Sequence, residues 1–193
     1  VDADSQTETY VALKAHIDNW RWAGTPFFIR TGKHLPKRVT EVVVHFKPTP
    51  HRLFQQECSP FESNALVLRI QPDEGVRLNF GMKVPGEGFR VQPVDMDFRY
   101  AELSEQPLPE AYERLLLDAI QGDNTLYIRD DASEACWAYL APVLEAFEKD
   151  KHAFPLDIYA PGSWGPERAN QLIASVPDGQ WRTQRESKGC AES

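Results

Sequence analysis

Across residues 76–84, apolar and polar side chains alternate without a break. Val76, Leu78, Phe80, Met82 and Val84 fall on one side, and Arg77, Asn79, Gly81 and Lys83 on the other. A repeat of two sends successive side chains to opposite faces of an extended chain, so the stretch reads as a strand with one apolar face. The same repeat returns at 9–17, 41–47, 65–71 and 94–100, and a short apolar run covers 26–30. In 65–71, Leu66, Leu68 and Ile70 oppose Arg69 and Gln71. In 94–100, Val94, Met96, Phe98 and Tyr100 oppose Asp95, Asp97 and Arg99. One apolar face per strand points to antiparallel pairing, because a parallel sheet buries both faces.

Beyond residue 105 the period lengthens to that of helices. Pro109 opens one and Gly122 closes it, with Ala111, Leu115, Leu116, Ala119 and Ile120 along one side. A second begins near Asp131, with Glu134 as a capping-box partner, and Pro142 within it is expected to kink or divide it. A third starts at Pro166, and a last strand is expected at 180–183. Strands followed by helices give an α+β fold: a large, mostly antiparallel sheet with helices packed on one face. The helices are expected to cover the apolar side. The other side, bearing His16, His45, Arg69, Gln71, Arg77, Asn79, Asp95, Asp97 and Arg99, is left either wet or as a subunit interface.

With 193 residues, 41% hydrophobic and 26% charged, the chain has enough apolar material for one large domain. That domain is expected to cover residues 1–183, with 184–193 a frayed polar tail. A net charge of −8 argues against a nucleic-acid partner, which calls for a basic surface. No apolar run approaches the ~20 residues that span a bilayer, so no membrane partner is expected. Cys58, Cys136 and Cys190 form neither a disulfide framework nor a metal-binding pair, which suits a reducing cytoplasm. The first residue is Val and strand pattern follows almost at once; the reading is of a piece of a longer protein.

The segment Arg30-Thr-Gly-Lys-His-Leu-Pro-Lys-Arg38 sets five basic side chains within nine residues of an acidic chain. It lies between two strands, with Gly32 and Pro36 as turn residues. Such a loop is either a solvated basic turn or a cradle for a phosphate dianion, Lys acting as a point charge and Arg as a planar fork. Gln71, on the polar side of its strand, offers both a donor and an acceptor to sugar hydroxyls. No glycine-rich dinucleotide fingerprint follows a strand, and no nucleophile elbow, phosphate loop or paired-histidine motif occurs. The residues alone offer an anion-binding loop on a sheet and no catalytic machinery.

Several segments, in order, resemble the glucose-6-phosphate dehydrogenase family. They are Thr7-Glu-Thr-Tyr-Val-Ala-Leu-Lys14, Asp18-Asn-Trp-Arg-Trp-Ala-Gly-Thr-Pro-Phe-Phe-Ile-Arg-Thr-Gly-Lys33, Arg69-Ile-Gln-Pro72, Ala111-Tyr-Glu-Arg-Leu-Leu-Leu-Asp118 and Tyr159-x-x-Gly-Ser-Trp-Gly-Pro166. The resemblance is to the family's C-terminal domain. It implies an enzyme that oxidises glucose 6-phosphate to the 1,5-lactone and passes hydride to NADP⁺, at the head of the pentose phosphate pathway. The Rossmann domain that binds NADP⁺ and the histidine base lie upstream in the family, and neither occurs in these residues, so the chain alone is expected to be inactive. By motif position, Lys33, Arg38 and Gln71 are expected to contact substrate. Catalytic, cofactor-binding and metal-binding residues are not expected here. A homodimer formed through the sheet is also implied, which would give the mixed polar face a purpose. A second, structural NADP⁺ found in some members is not expected, because Val39, Val43, Asn79 and Trp164 replace basic residues and leave only Arg30 and Arg69. The alternative is a non-catalytic sugar-phosphate-binding or dimerisation module that reuses this sheet.

Overall fold

Two antiparallel sheets and three helices make up the computed structural model, which describes residues 5, 7–48, 63–86, 91–103, 111–150, 153–176 and 179–183. The α+β class follows from the alternation and its change of period. The chain separates into two compact units, one comprising Thr9–Glu105 and Ile158–Ser193, the other Val1–Glu8 and Gln106–Asp157.

The larger unit holds both sheets. β1 (Tyr10–His16) and β2 (Pro26–Gly32) form a hairpin in which Tyr10 faces Gly32 and His16 faces Pro26. Its connection is tightened by Asn19, whose Oδ1 accepts from the backbone N–H groups of Arg21 and Trp22 at 3.1 and 2.9 Å. β3 (Thr40–His45), β4 (Ala65–Gln71), β5 (Gly75–Lys83) and β6 (Val91–Arg99) follow in spatial order as a four-stranded antiparallel sheet. Pro93 sits on β6, an edge strand of the described sheet, where a missing N–H costs least. The single large sheet expected from the sequence is thus two sheets among the described residues.

Arg182 ties the two together. Its backbone carbonyl accepts from Arg30 Nη2 of β2 at 2.8 Å, and its guanidinium pairs with Glu41 of β3. The strand expected at 180–183 does not form. That segment is fixed by side chains instead, including Trp181 Nε1, which donates to the Ala169 carbonyl at 2.8 Å.

Register places Val42, Leu68, Val76 and Phe98 on one face of the four-stranded sheet, with Val44, Leu66, Leu78 and Met96 beside them. On that face Met96 is 61% exposed, and Val42, Val44, Ile70 and Phe98 are exposed as well. Val67, 1% exposed, lies on the opposite face with Arg69, Arg77 and Asp97. The charges there pair with one another, although Arg69 Nε is buried without a hydrogen-bond partner. Arg69 donates to both Asp97 oxygens, at 2.5 and 3.1 Å, and Arg77 Nη2 reaches Asp97 Oδ2 at 2.7 Å.

α3 (Glu167–Ile173) starts after Pro166, as its sequence implied, and packs against β1. In the smaller unit, α1 (Ala111–Gln121) ends at Gly122, whose φ of 73° supplies the left-handed turn a side chain would disfavour. The expected start at Pro109 lies outside the described residues. Among the described residues of α1 the buried one is Asp118, held by Arg114 one turn earlier at 2.9 Å, whereas Leu116 and Ile120 of the expected apolar stripe are exposed. α2 (Asp130–Lys149) runs unbroken through Pro142. Its N-cap is Arg129, with no side-chain cap, so the expected capping box does not form. The Asp131 carboxylate instead accepts from Arg129 and from the Ala132 N–H. Among the described residues, no helix is long and apolar enough to cross a membrane.

Candidate functional site

The cationic segment begins where β2 ends. At Gly32 a Cβ would lie 2.6 Å from Tyr10 Cδ2, so only glycine lets the strand finish against that ring. Three hydrogen bonds then hold the backbone of the turn. The Lys33 N–H donates to the Thr9 carbonyl, the Lys33 carbonyl accepts from the Tyr159 hydroxyl, and the His34 carbonyl accepts from the Gly162 N–H, each at 2.8 Å. His34 carries φ of 50°, a left-handed conformation rarely taken by a residue with a side chain.

On this pinned backbone, the side chains of Lys33, His34, Lys37 and Arg38 are exposed. Lys33 and Arg38 make no side-chain hydrogen bond or ion pair to another described residue. Arg38 lies two residues before β3, and Gln71 at the end of β4 pairs in register with Thr40, next to a bulge between Thr40 and Glu41. The three residues expected to contact substrate therefore fall at strand ends: Lys33 just after β2, Arg38 just before β3, and Gln71 at the last position of β4. Gln71 is exposed, and the Gln71–Pro72 peptide is cis. Unpaired cations on a turn with a held backbone suit a dianion, because only the side chains remain to be ordered when it binds.

Arg30 belongs to the same segment but serves another end. Its guanidinium lies 4.8 Å from the ring centres of both Trp164 and Trp181, and its Nη2 is committed to the Arg182 carbonyl. Burial lowers its pKa, partly offset by Tyr10 and Glu41 nearby. The Tyr10 hydroxyl is buried without a hydrogen bond of good geometry. Burial raises its pKa, and the adjacent Arg30 charge draws it back.

The sequence alone assigned no role to residues 159–165, although their motif was recognised. They form a loop that docks on the hairpin through Tyr159, Gly162, Trp164 and Gly165. The signal available was the pair of glycines, both at positive φ, 81° at Gly162 and 107° at Gly165. Among the described residues, no three His, Cys, Asp or Glu side chains gather as a metal site.

Comparison with known proteins gives a consistent picture. The family model described as glucose-6-phosphate dehydrogenase, C-terminal domain, matches residues 1–182. The chain is 54% identical over 175 residues to glucose-6-phosphate 1-dehydrogenase of Treponema pallidum, covering 90% of this chain and 34% of that protein. It is 52% identical over 170 residues to the Aggregatibacter actinomycetemcomitans protein of the same name, covering 88% of this chain and 33% of that one. The chain thus spans about a third of the length of the curated relatives it matches. Among solved structures, glucose-6-phosphate 1-dehydrogenase from Mycobacterium avium superposes with a TM-score of 0.75 at 40% identity, over 95% of this chain and 37% of that one. A glucose-6-phosphate dehydrogenase in complex with its substrate glucose-6-phosphate superposes with a TM-score of 0.81 at 31% identity, again over 95% of this chain and 37% of the other.

Proposed function

The chain belongs to the glucose-6-phosphate dehydrogenase family through its C-terminal domain, and from that premise we propose that it holds the phosphoryl end of glucose 6-phosphate in an enzyme that oxidises the sugar to the 1,5-lactone. The observation that carries this reading is the pair of exposed cations, Lys33 and Arg38, on a turn whose backbone is fixed at Lys33 and His34. A Lys and an Arg converging on one dianion give two charge-assisted contacts. Gln71, beside Thr40, supplies a neutral donor and acceptor for a ring hydroxyl.

In this reading the base that removes the C1 hydroxyl proton and the dinucleotide that accepts the hydride belong to the rest of the protein. NADP⁺ supplies only the hydride acceptor. The test is direct: the complete protein reduces NADP⁺ when given glucose 6-phosphate, and the 193-residue chain alone does not. Reduction by the pure chain would overturn the division of labour.

A structural NADP⁺ does not fit this domain. The two basic residues left for it are both engaged, Arg30 against two indoles and Arg69 with Asp97. Neither is free to meet a pyrophosphate or a 2′-phosphate. Titration of the chain with NADP⁺ is expected to show no tight site.

The homodimer is assigned to the apolar face of the four-stranded sheet rather than to its charged face. Val42, Val44, Ile70, Met96 and Phe98 share that face and are all exposed. Burying such a strip against a second copy follows the usual composition of homodimer interfaces. The scattered cysteines and lack of a membrane-spanning helix among the described residues suit a cytoplasmic enzyme.

A further inference from the structure

Tyr159 stands 126 residues from Lys33 in sequence, yet its hydroxyl lies 2.8 Å from the Lys33 carbonyl oxygen. The same phenolic oxygen is 3.3 Å from Thr9 Oγ1 and 3.2 Å from the Thr9 carbonyl. A phenol has one proton to give, and the shortest of these contacts takes it, so Tyr159 donates to Lys33. The Thr9 hydroxyl is then free to donate back to the Tyr159 oxygen. The Tyr159 ring rests against Tyr10, with centroids 5.4 Å apart. Three residues further on, the Gly162 N–H takes the next carbonyl along, that of His34. Two successive carbonyls of the cationic turn are therefore held by one distant loop, and the second belongs to a non-glycine residue at φ of 50°. A left-handed residue of this kind persists only where its surroundings over-determine it. Rotation about Lys33 or His34 would break these hydrogen bonds and redirect both basic side chains.

We propose that Tyr159, with Gly162, is a positioning residue for substrate: through the Lys33 carbonyl it fixes the direction in which the Lys33 ammonium meets a sugar phosphate. The proposal rests on the reading of Lys33 as a phosphoryl contact. The Tyr159 hydroxyl acts on binding through Lys33 and touches no reacting atom. A displacement of about an ångström in a charged contact weakens binding more than chemistry when the contact lies at the far end of the substrate from the reacting carbon.

The experiment is steady-state kinetics of the complete enzyme with Tyr159→Phe, Lys33→Ala and the double variant. Tyr159→Phe keeps the ring against Tyr10 and removes only the donor. It is expected to raise KM for glucose 6-phosphate about five- to tenfold, with kcat and KM for the dinucleotide within about twofold. The double variant is expected to match Lys33→Ala alone, because without the ammonium there is nothing left to position. If Lys33→Ala raises KM while Tyr159→Phe does not, or if the two effects multiply, the positioning role is wrong and the phosphoryl contact survives. If Lys33→Ala leaves KM unchanged, the phosphoryl reading itself fails. Should Tyr159→Phe fail to fold, Gly162→Ala reads the same clamp. Its Cβ would meet nothing within 4 Å, so it perturbs the backbone alone. A wild-type KM in a folded Gly162→Ala enzyme would then overturn the proposal.

Discussion

The Arg30 guanidinium carbon lies 4.8 Å from the centre of the Trp164 ring. Trp181 offers a second indole at the same distance, and the Arg182 carbonyl accepts from Nη2. A basic residue from the most cationic stretch of the chain thus works as a structural pin between β2, the approach to α3 and the last described segment. Lys cannot reproduce a planar cation that stacks and donates at once. Arg30→Lys is expected to destabilise the fold by about 1–2 kcal/mol, and Arg30→Ala by about 2–4 kcal/mol, read from urea unfolding. Equal stability of all three proteins would contradict the pinning role.

Gly165 approaches the Tyr10 ring so closely that a Cβ would collide with it, and its φ is 107°. Gly24 has φ of 77° with nothing within 4 Å of where a Cβ would sit. Alanine at Gly24 therefore pays only for the backbone, about 1 kcal/mol, whereas alanine at Gly165 adds steric overlap and is expected to cost about 3 kcal/mol. Thermal unfolding of the two variants separates these contributions, and a Gly165→Ala protein as stable as Gly24→Ala would show that the ring yields freely.

Asp97 should make stability sensitive to acid. Hydrogen bonds from Arg69, then from Arg77, outweigh its partial burial and lower its pKa from 3.8 to about 2. A carboxyl whose folded pKa lies below its unfolded value stabilises the fold in full above about pH 4. That contribution fades as pH falls from 4 towards 2, because the unfolded chain takes up the proton first. Urea midpoints measured from pH 5 to 2.5 should fall more steeply for the wild type than for Asp97→Asn. Parallel curves would mean that the ion pairs carry no linkage.

The exposed apolar residues of the four-stranded sheet should mediate association. Met96→Glu places a charge in the middle of the apolar strip, and sedimentation should show a shift from dimer to monomer without loss of the fold. An unchanged sedimentation coefficient would move the interface elsewhere.

How legible these features were depended on how far apart in sequence their causes lay. Alternation in residues 76–84 marked β5 because strand pairing depends on neighbours in the pattern. The same alternation could not show that Arg69 and Arg30 are held by partners up to 152 residues away, Asp97 and the Arg182 carbonyl. Residue type alone cannot announce such partners. The capping box at Asp131 and Glu134 failed for a local reason: Arg129 claims the Asp131 carboxylate first. Lys33, Arg38 and Gln71 were named from motif position, and the register between Thr40 and Gln71 gives a physical route by which strand ends bring Arg38 and Gln71 near one another. The clamp from Tyr159 and Gly162 was invisible to spacing, since a hydroxyl reaching a distant carbonyl leaves no periodic trace.

Whether the turn reads phosphate is decided by comparing glucose 6-phosphate with unphosphorylated glucose as substrates of the complete enzyme, for the wild type and for Lys33→Ala. Losing one charge-assisted contact of about 1.5–3 kcal/mol should lower kcat/KM for glucose 6-phosphate by roughly 10- to 150-fold while leaving kcat/KM for glucose within about twofold. A Lys33→Ala enzyme that loses equal efficiency on both sugars, or on neither, would contradict the account.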